Sequence, residues 1–373
     1  MGLLDYYRQF DDVDQESVNR VLRERRRRER ELALAEVPTM DLTNTEWPDM
    51  PHSEIMNAAI YAARGRVNNY PDRHAGQVRR LLAERHGVEA EQIVVGNGAA
   101  ELLQATALVL LGQGDELVTP WPSHPLFPLM AQRAGARPVA VDLASGTVDP
   151  DALLAAVTER TRAVVLCNPN DPTGTYLPAE RVAALARALP EHVHLLVDEA
   201  YIEFQDVEAR DSVLRLVDAF PRIVVFRTFS KVYGLSGLRA GYAVASPADA
   251  SLLASIAPAL GINVLTQAGI TYALEMGESE IARRRELVVE QRTRLLDELH
   301  DLPVDAPPSE ANFVWLHATG LTGAQLAAGM EEAKVLVAPG APLGADDHVR
   351  ASIRGRAATD RLLRALREAT GAV

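Results

Sequence analysis

Short apolar runs in the middle of the chain end at polar residues, and a segment with a helical pattern separates the first two. Residues 162–168, 192–198 and 222–228 are rich in β-branched and large apolar side chains, whereas residues 178–189 have a helix-like composition. Strands that are apolar without alternation are typical of a parallel sheet that helices cover on both faces. The pattern therefore predicts an α/β fold with a mostly parallel sheet.

Polar side chains stand where each of these strands is expected to end. Asn168 and Asp198 close the first two runs, Tyr201 follows Asp198, and Lys231 follows the third run. In open α/β sheets, ligands bind beyond the carboxyl ends of the strands. We therefore expect these four side chains to converge on one site.

The stretch around Lys231 is equipped to hold a phosphorylated aldehyde. A lysine amine forms a Schiff base with an aldehyde. Thr228, Ser230 and Arg239 flank Lys231, and hydroxyl groups and a guanidinium hydrogen-bond a phosphate dianion with charge assistance. Because pyridoxal phosphate carries both an aldehyde and a phosphate, the stretch predicts this cofactor.

Three of the strand-end residues suit the ring of that cofactor. An aspartate keeps a pyridine nitrogen protonated, so that the ring accepts electrons from a broken Cα bond, and Asp198 is the candidate. A tyrosine hydroxyl and an asparagine amide donate hydrogen bonds, which suits Tyr201 and Asn168 to the ring oxygen. The alternative is that Asp198 caps the next helix and Tyr201 packs beneath it.

Residues 91–103 predict a strand that runs through a turn of small residues directly into an apolar helix. A helix N-terminus reached in this way offers free backbone N–H groups to an anion. Gly98, Ala99 and Ala100 are therefore expected to bind the phosphate through their backbones. The alternative is a tight strand-to-helix turn without a ligand.

Several short motifs occur in a characteristic order, at residues 42–48, 69–72, 96–101, 168–174, 198–201, 230–241 and 350–353. From about residue 41 onwards, the chain thereby resembles the fold-type I pyridoxal phosphate enzymes of the class I/II aminotransferase superfamily, and histidinol-phosphate aminotransferases are closest in pattern. The resemblance implies a three-layer α/β/α large domain and a smaller α+β C-terminal domain. We expect a helical arm over residues 1–40, a large domain over 41–265, of which 41–57 pack in part with the small domain, and a small domain over 266–373.

The resemblance also implies roles for the residues named above. Lys231 carries the cofactor, Asp198 pairs with the ring nitrogen, Asn168 and Tyr201 contact the ring oxygen, and Thr228, Ser230 and Arg239 hold the phosphate.

Tyr70 resembles a tyrosine that reaches across a dimer interface to the cofactor phosphate of the neighbouring subunit. The implied assembly is a homodimer with shared active sites. The alternative is a turn residue before Pro71.

The loop after the predicted strand 116–119 is where the family places an aromatic side chain over the cofactor ring. His124 stands at that position, and an imidazole both stacks and forms hydrogen bonds. Trp121 and Phe127 are the alternatives for stacking.

The C-terminal region is expected to bind the substrate. Residues 311–316, 335–338 and 348–353 read as strands of a small α+β unit. In the resemblance, Arg350 grips the acidic group of the substrate, a task that suits a bidentate guanidinium, and Asn168 assists it.

Two departures from the family pattern concern the same region. Arg354 occupies a position where family members generally have a glycine. We interpret it as a second anion contact or, alternatively, as a solvated cation. After the strand at 335–337, the chain continues with Ala338 rather than with the arginine of histidinol-phosphate enzymes. This difference weakens the case for histidinol phosphate as substrate.

Composition narrows the setting. A net charge of −13 argues against nucleic acid as a partner. Cys167 is the single cysteine, which favours a reducing cytoplasm, and no apolar run approaches the length of a membrane span. The arginine-rich residues 23–30 read as a solvated helix with local ion pairs, and no cluster of metal ligands is evident.

We therefore predict an aminotransferase that moves an amino group from a small-molecule donor to a 2-oxo acid in two half-reactions. A decarboxylase or lyase of the threonine-phosphate decarboxylase type is the main alternative, because one fold supports cleavage of different Cα bonds. The third hypothesis is a non-catalytic sensor that binds the cofactor.

Overall fold

A computed structural model describes residues 19–25, 27–29 and 37–372 of the chain. Residues 19–25 and 27–29 are helical, and Arg25 and Glu29 form an exposed ion pair one turn apart, as the sequence predicted for this basic segment. Most of the predicted N-terminal arm lies outside the described residues. None of the helices in the described part has the length and hydropathy of a membrane-spanning segment.

The large sheet has seven strands in the order β2-β8-β7-β6-β5-β3-β4. Their bounds are β2 Ile93–Gly96, β3 Glu116–Trp121, β4 Arg137–Asp142, β5 Thr161–Cys167, β6 His194–Asp198, β7 Ile223–Thr228 and β8 Gly241–Ala245. Strand β8 runs antiparallel to β2 and β7, and the other adjacent strands of this sheet pair in parallel. The three apolar runs are thus strands β5, β6 and β7, as predicted.

Every residue of β7 and β8 is buried, so both faces of the sheet are covered there. The helices of this part are α1 Ser53–Arg66, α2 Gly76–His86, α3 Ala99–Leu110, α4 Leu126–Arg133, α5 Pro150–Ala155, α6 Ala179–Ala188, α7 Ala250–Ile256 and α8 Val264–Met276. The α/β architecture with a mostly parallel sheet is confirmed.

The C-terminal part contains a four-stranded antiparallel sheet in the order β12-β13-β10-β9. Its strands are β9 Val304–Asp305, β10 Phe313–Ala318, β12 Ala338–Pro339 and β13 His348–Ser352, and its helices are α9 Glu278–Glu298, α10 Gly323–Glu332 and α11 Arg356–Thr370.

Residues 40–42 pack against the smaller, C-terminal part of the structure. Strand β1 (Met40–Asp41) pairs in parallel with β11 (Val335–Leu336), and the N–H of Ser352 donates to the carbonyl of Leu42 at 3.0 Å. This pairing brings the 42–48 motif to the edge of the large sheet, where the candidate site lies.

Candidate active site

A cavity of about 280 Å³ opens beyond the carboxyl ends of β6 and β7. Asp198 ends β6, Thr228 ends β7, and Lys231 follows in the next loop. The structure therefore brings together most of the side chains that the sequence placed at the strand ends. The lining consists of Glu46, Ala99, Ala100, His124, Leu126, Asp198, Ala200, Tyr201, Thr228, Ser230, Lys231, Ser236 and Arg239.

Lys231 points across the cavity towards the first motif of the chain. Its Nζ donates a hydrogen bond to Oγ1 of Thr45 and lies 4.8 Å from the centroid of the Tyr201 ring. Burial lowers the pKa of Lys231 below its ordinary value, and the negative charge of Asp171 offsets this only in part. A lysine with a lowered pKa provides more of the neutral amine that attacks an aldehyde or accepts a proton.

Asp198 is 6% exposed, and its Oδ1 accepts a hydrogen bond from the N–H of Ala200 at 3.1 Å. Burial raises the pKa of Asp198 to about 6, although His124 and the Ala200 bond oppose the shift. A buried carboxylate with one backbone donor is costly, and a cationic partner would relieve that cost. A protonated ring nitrogen is such a partner.

The opposite end of the cavity is suited to an anion. Helix α3 begins at Ala99 after Gly98, whose φ of +100° favours glycine. A Cβ atom at Gly98 would lie 2.8 Å from Nη2 of Arg239, so the guanidinium lies against this turn. Free N–H groups at a helix start and an adjacent guanidinium together form a phosphate cradle.

The hydroxyl residues of this end are ordered by the loop itself. Oγ1 of Thr228 accepts a hydrogen bond from the N–H of Ser230 at 3.1 Å, and both residues line the cavity beside Arg239. The predicted phosphate residues therefore lie side by side. The residues present fit pyridoxal phosphate, with the phosphate at this end and Lys231 and Asp198 at the other.

Asp171, which the sequence analysis did not identify, and the predicted substrate residue Arg350 lie behind the cavity without lining it, and Tyr201 connects them to it. Asp171 is 3% exposed, its Oδ2 accepts from the Tyr201 hydroxyl at 2.8 Å, and its Oδ1 accepts from Nη1 of Arg350 at 2.6 Å. Burial alone would raise the pKa of Asp171, but Arg350, His124 and Lys231 hold it below its ordinary value. Its place inside the 168–174 motif was the available signal.

Asn168 does not join the cavity lining, contrary to the expectation from its place at the end of β5. Its Nδ2 donates to the carbonyl of Leu177 at 2.9 Å, and its Oδ1 accepts from the N–H of Leu177 at 2.7 Å. The amide therefore braces the loop that follows β5. Asp171, three residues later on the same loop, is the residue that contacts Tyr201.

His124 lines the cavity, whereas the two alternatives for ring stacking do not. Phe127 is fully buried in the core beside His124, and Trp121 lies outside the lining. Nδ1 of His124 accepts a hydrogen bond from the N–H of Leu126 at 3.2 Å, which fixes the imidazole at the N-terminus of helix α4. This position suits the predicted stacking role.

Tyr70 and Arg354 lie elsewhere in the chain. Tyr70 is 82% exposed and does not line the cavity of its own subunit, and Arg354 is half-buried outside the lining. Cys167 is buried, and burial raises the pKa of its thiol well above the ordinary value, which makes it a packing residue.

An α/β fold with a half-buried lysine, a buried aspartate and an anion cradle at the strand ends is the arrangement of a pyridoxal phosphate enzyme. The model of the family "Aminotransferase class I and II" matches residues 37–366. The chain therefore belongs to this family, and it is a pyridoxal-phosphate-dependent aminotransferase. The family supports this reading over the decarboxylase alternative.

The similar proteins carry two kinds of names. An aromatic amino acid aminotransferase of Mycolicibacterium vanbaalenii is 40% identical over 285 residues, covering 76% of this chain and 80% of that protein. Another from Cutibacterium acnes is 36% identical over 332 residues, covering 88% and 92%. The histidinol-phosphate aminotransferase from Sinorhizobium meliloti, solved with pyridoxal-5'-phosphate, has a TM-score of 0.79 at 28% identity and covers 91% of this chain and 93% of that chain.

Proposed function

We propose that the amino donor is an aromatic L-amino acid and that the acceptor is a 2-oxo acid. The names of the relatives, which cover most of this chain at 36–40% identity, support this choice. A 2-oxo acid and an amino acid share an α-carboxylate, so one acid-group receptor serves both half-reactions.

The charges around the cavity carry the proposal. Among the described residues that line it, the cationic side chains are Lys231 and Arg239, which we assign to the two ends of the cofactor. Arg350, next to Asp171, then serves the α-carboxylate. A substrate with a second anionic group, such as a phosphate, would need a further cation, and the lining instead adds the carboxylate of Glu46, whose charge acts on Arg350.

We assign the cofactor contacts by chemistry. Gly98, Ala99 and Ala100 offer backbone N–H groups to the phosphate, and Thr228, Ser230 and Arg239 offer hydroxyl and guanidinium donors. Asp198 holds a proton at the ring nitrogen, Tyr201 contacts the ring oxygen, and His124 packs on the ring.

Bound pyridoxal phosphate supplies an aldehyde that carries the amino group and a ring that accepts the electrons of the broken Cα–H bond. Lys231 Nζ removes the proton from Cα, and its lowered pKa leaves more of the neutral amine that can accept this proton. Thr45 and the Tyr201 ring hold the amine in place until it acts. Arg350 orients the α-carboxylate so that the Cα–H bond faces Lys231.

We further propose a homodimer in which Tyr70 serves the cofactor phosphate of the neighbouring site. Its exposure within one chain supports this role, because a large aromatic side chain in water gains by burial against a partner. Other large apolar side chains exposed on α1 and in nearby loops are Ile60, Tyr61, Val67 and Leu260.

Absorbance spectra of the purified holoenzyme test the donor. L-Phenylalanine or L-tyrosine should convert the aldehyde form of the cofactor to the amine form, with a kcat/KM at least about tenfold above that for L-histidinol phosphate. Lys231→Ala is the matched control and should show no conversion. A faster reaction with L-histidinol phosphate would contradict the proposed aromatic donor and would favour the substrate in the names of the structural neighbours.

Mixed dimers test the shared site. Lys231→Ala and Tyr70→Phe subunits, each defective alone, should regain activity when they are mixed, because one of the two sites then has both native residues. Activity equal to the average of the two parents would contradict a contribution of Tyr70 across the interface.

A further inference from the structure

Arg350, the proposed receptor for the substrate carboxylate, is already engaged. Its Nη1 donates to Oδ1 of Asp171 at 2.6 Å, and its Nη2 donates to the carbonyl of Thr43 at 3.2 Å. Nε is buried and has no hydrogen-bond partner among the described residues. The guanidinium thus binds one carboxylate and one carbonyl, and its buried Nε is the donor that still lacks a partner.

Asp171 is held in that position from two sides. Its second oxygen accepts from the Tyr201 hydroxyl at 2.8 Å, and only 3% of the residue is exposed, so the carboxylate has no direct route into water. Asp171 therefore stays beside Arg350 when a ligand binds to the guanidinium. The titratable and charged groups that face Asp171 are Arg350, His124, Lys231, Tyr201, Asp198 and Cys167.

A substrate carboxylate that accepts from Nε places two carboxylates on one guanidinium. Two carboxylates on one guanidinium repel each other, and this repulsion is strong where water is excluded. It is therefore costly for both to stay ionised, and one of them takes up a proton. We propose that Asp171 is a specificity-determining residue that takes up one proton from solvent when a carboxylate binds to Arg350. The ligand stays ionised, and Asp171 changes from a carboxylate to a carboxylic acid.

This inference rests on the proposed role of Arg350, and it has a direct consequence for selectivity. Every carboxylate-bearing ligand must weaken the attraction between Asp171 and Arg350 or bind together with a proton that Asp171 takes from solvent. A ligand without a carboxylate leaves the Asp171–Arg350 pair intact and bears no such cost. Asp171 therefore sets how strongly the site prefers carboxylates, and it makes that preference depend on pH.

The sign of the pH dependence follows from the charges. In the free enzyme, Arg350 and its neighbours hold the pKa of Asp171 low, although burial opposes them. A bound carboxylate shares Arg350 and raises the pKa of Asp171. Between the two pKa values, binding consumes a proton, so the Kd of the ligand rises as the pH rises.

Calorimetric titration of the holoenzyme with 3-phenylpropanoate tests the proposal. This aromatic carboxylate lacks an amino group and does not react. In two buffers of different ionisation enthalpy, we expect proton uptake on binding and a Kd about tenfold higher at pH 8 than at pH 6. Asp171→Asn keeps the size and one acceptor oxygen but removes the charge, and it should show no such uptake and tighter binding at pH 8.

Three controls identify the group that takes up the proton. The cofactor absorbance, read at each point, counts any proton taken at Lys231, and His124→Gln should keep the uptake. Asp151→Asn, on the exposed first turn of α5, should behave as the wild type. Equal uptake in the wild type and in Asp171→Asn, or loss of uptake in His124→Gln alone, would overturn the proposal.

The result is separable from the proposed substrate class. If 3-phenylpropanoate fails to bind at both pH values, Asp171 does not have the proposed role. The spectral half-reaction with L-phenylalanine on the same preparation shows independently whether the aromatic donor is accepted.

Discussion

Arg227 and Glu199 form a buried ion pair directly behind the cofactor site. Nη2 of Arg227 lies 2.7 Å from Oε2 of Glu199, and the two side chains are 3% and 0% exposed. Arg227 precedes Thr228 at the end of β7, and Glu199 follows Asp198 at the end of β6. The ion pair therefore ties together the two adjacent strand ends that carry site residues.

Replacing Arg227 by methionine should lower the free energy of unfolding by about 3–5 kcal/mol, because it leaves Glu199 and Asp211 without their cation. Burial works against the charge of Arg227, but Glu199, Tyr242 and Asp211 raise its pKa well above the ordinary value. Urea unfolding measures the effect. Arg215→Met, at an exposed position nearby, should change stability by less than about 0.5 kcal/mol. Equal stability of the two variants would show that the ion pair adds nothing.

The chain offers an unusually clean test of the cofactor lysine, because it contains two lysines, Lys231 and Lys334. Borohydride reduction of the holoenzyme should attach the cofactor irreversibly to the peptide that contains Lys231. Lys231→Ala should abolish turnover, since both the attachment point and the base are lost. Mass spectrometry of the digested protein identifies the labelled residue.

Lys334→Arg is the matched control, because it removes the other amine and keeps the charge. This variant should retain labelling at Lys231 and near-normal activity. Labelling that moves to Lys334, or substantial transamination by Lys231→Ala, would be incompatible with the assignment.

Asp198→Asn should change activity and stability in opposite directions. The rate should fall by several orders of magnitude, because the ring nitrogen loses the carboxylate that keeps it protonated. In the cofactor-free protein, burial raises the pKa of Asp198 to about 6 from 3.8. The native state then binds more protons than the unfolded state between these values, so stability falls as pH rises through this window.

Removing the charge should therefore make cofactor-free Asp198→Asn more stable than the wild type above pH 6, on the order of 2–3 kcal/mol. The difference should shrink to near zero below pH 4. Denaturant unfolding at pH 4 and 7.5 measures it. A variant that is less stable than the wild type at pH 7.5 would refute the stated cost of burying Asp198, and near-normal kinetics would refute its role at the ring.

The sequence was sufficient to predict the strands and part of the site, for identifiable reasons. Strands β5 to β7 are buried on both faces, so their apolar runs are unbroken, and Lys231 follows β7 at a fixed distance along the chain. The partner of Arg350 was not predictable, because Asp171 lies 179 residues away in sequence and meets it only when the two parts pack together. Asn168 was assigned to the cofactor, since its position gives no sign that its amide bonds Leu177.

Arg350→Ala should raise the KM for the carboxylate-bearing substrate by at least about tenfold, because the guanidinium that orients the α-carboxylate is lost. It should also lower the free energy of unfolding by about 3–5 kcal/mol, since Asp171 is then buried without its cation. The double variant with Asp171→Asn separates the two effects. Stability should largely return there, because a neutral amide needs no counterion, whereas the KM should stay high.

Arg354→Ala is the matched control for this region, since Arg354 is half-buried and close by in sequence, whereas Arg350 is the arginine that bonds Asp171. The KM of Arg354→Ala should remain within about twofold of the wild type, because no contact to the substrate is lost. Steady-state kinetics with L-phenylalanine and a 2-oxo acid compares the three variants. A raised KM in Arg354→Ala together with an unchanged KM in Arg350→Ala would transfer the receptor role from Arg350 to Arg354.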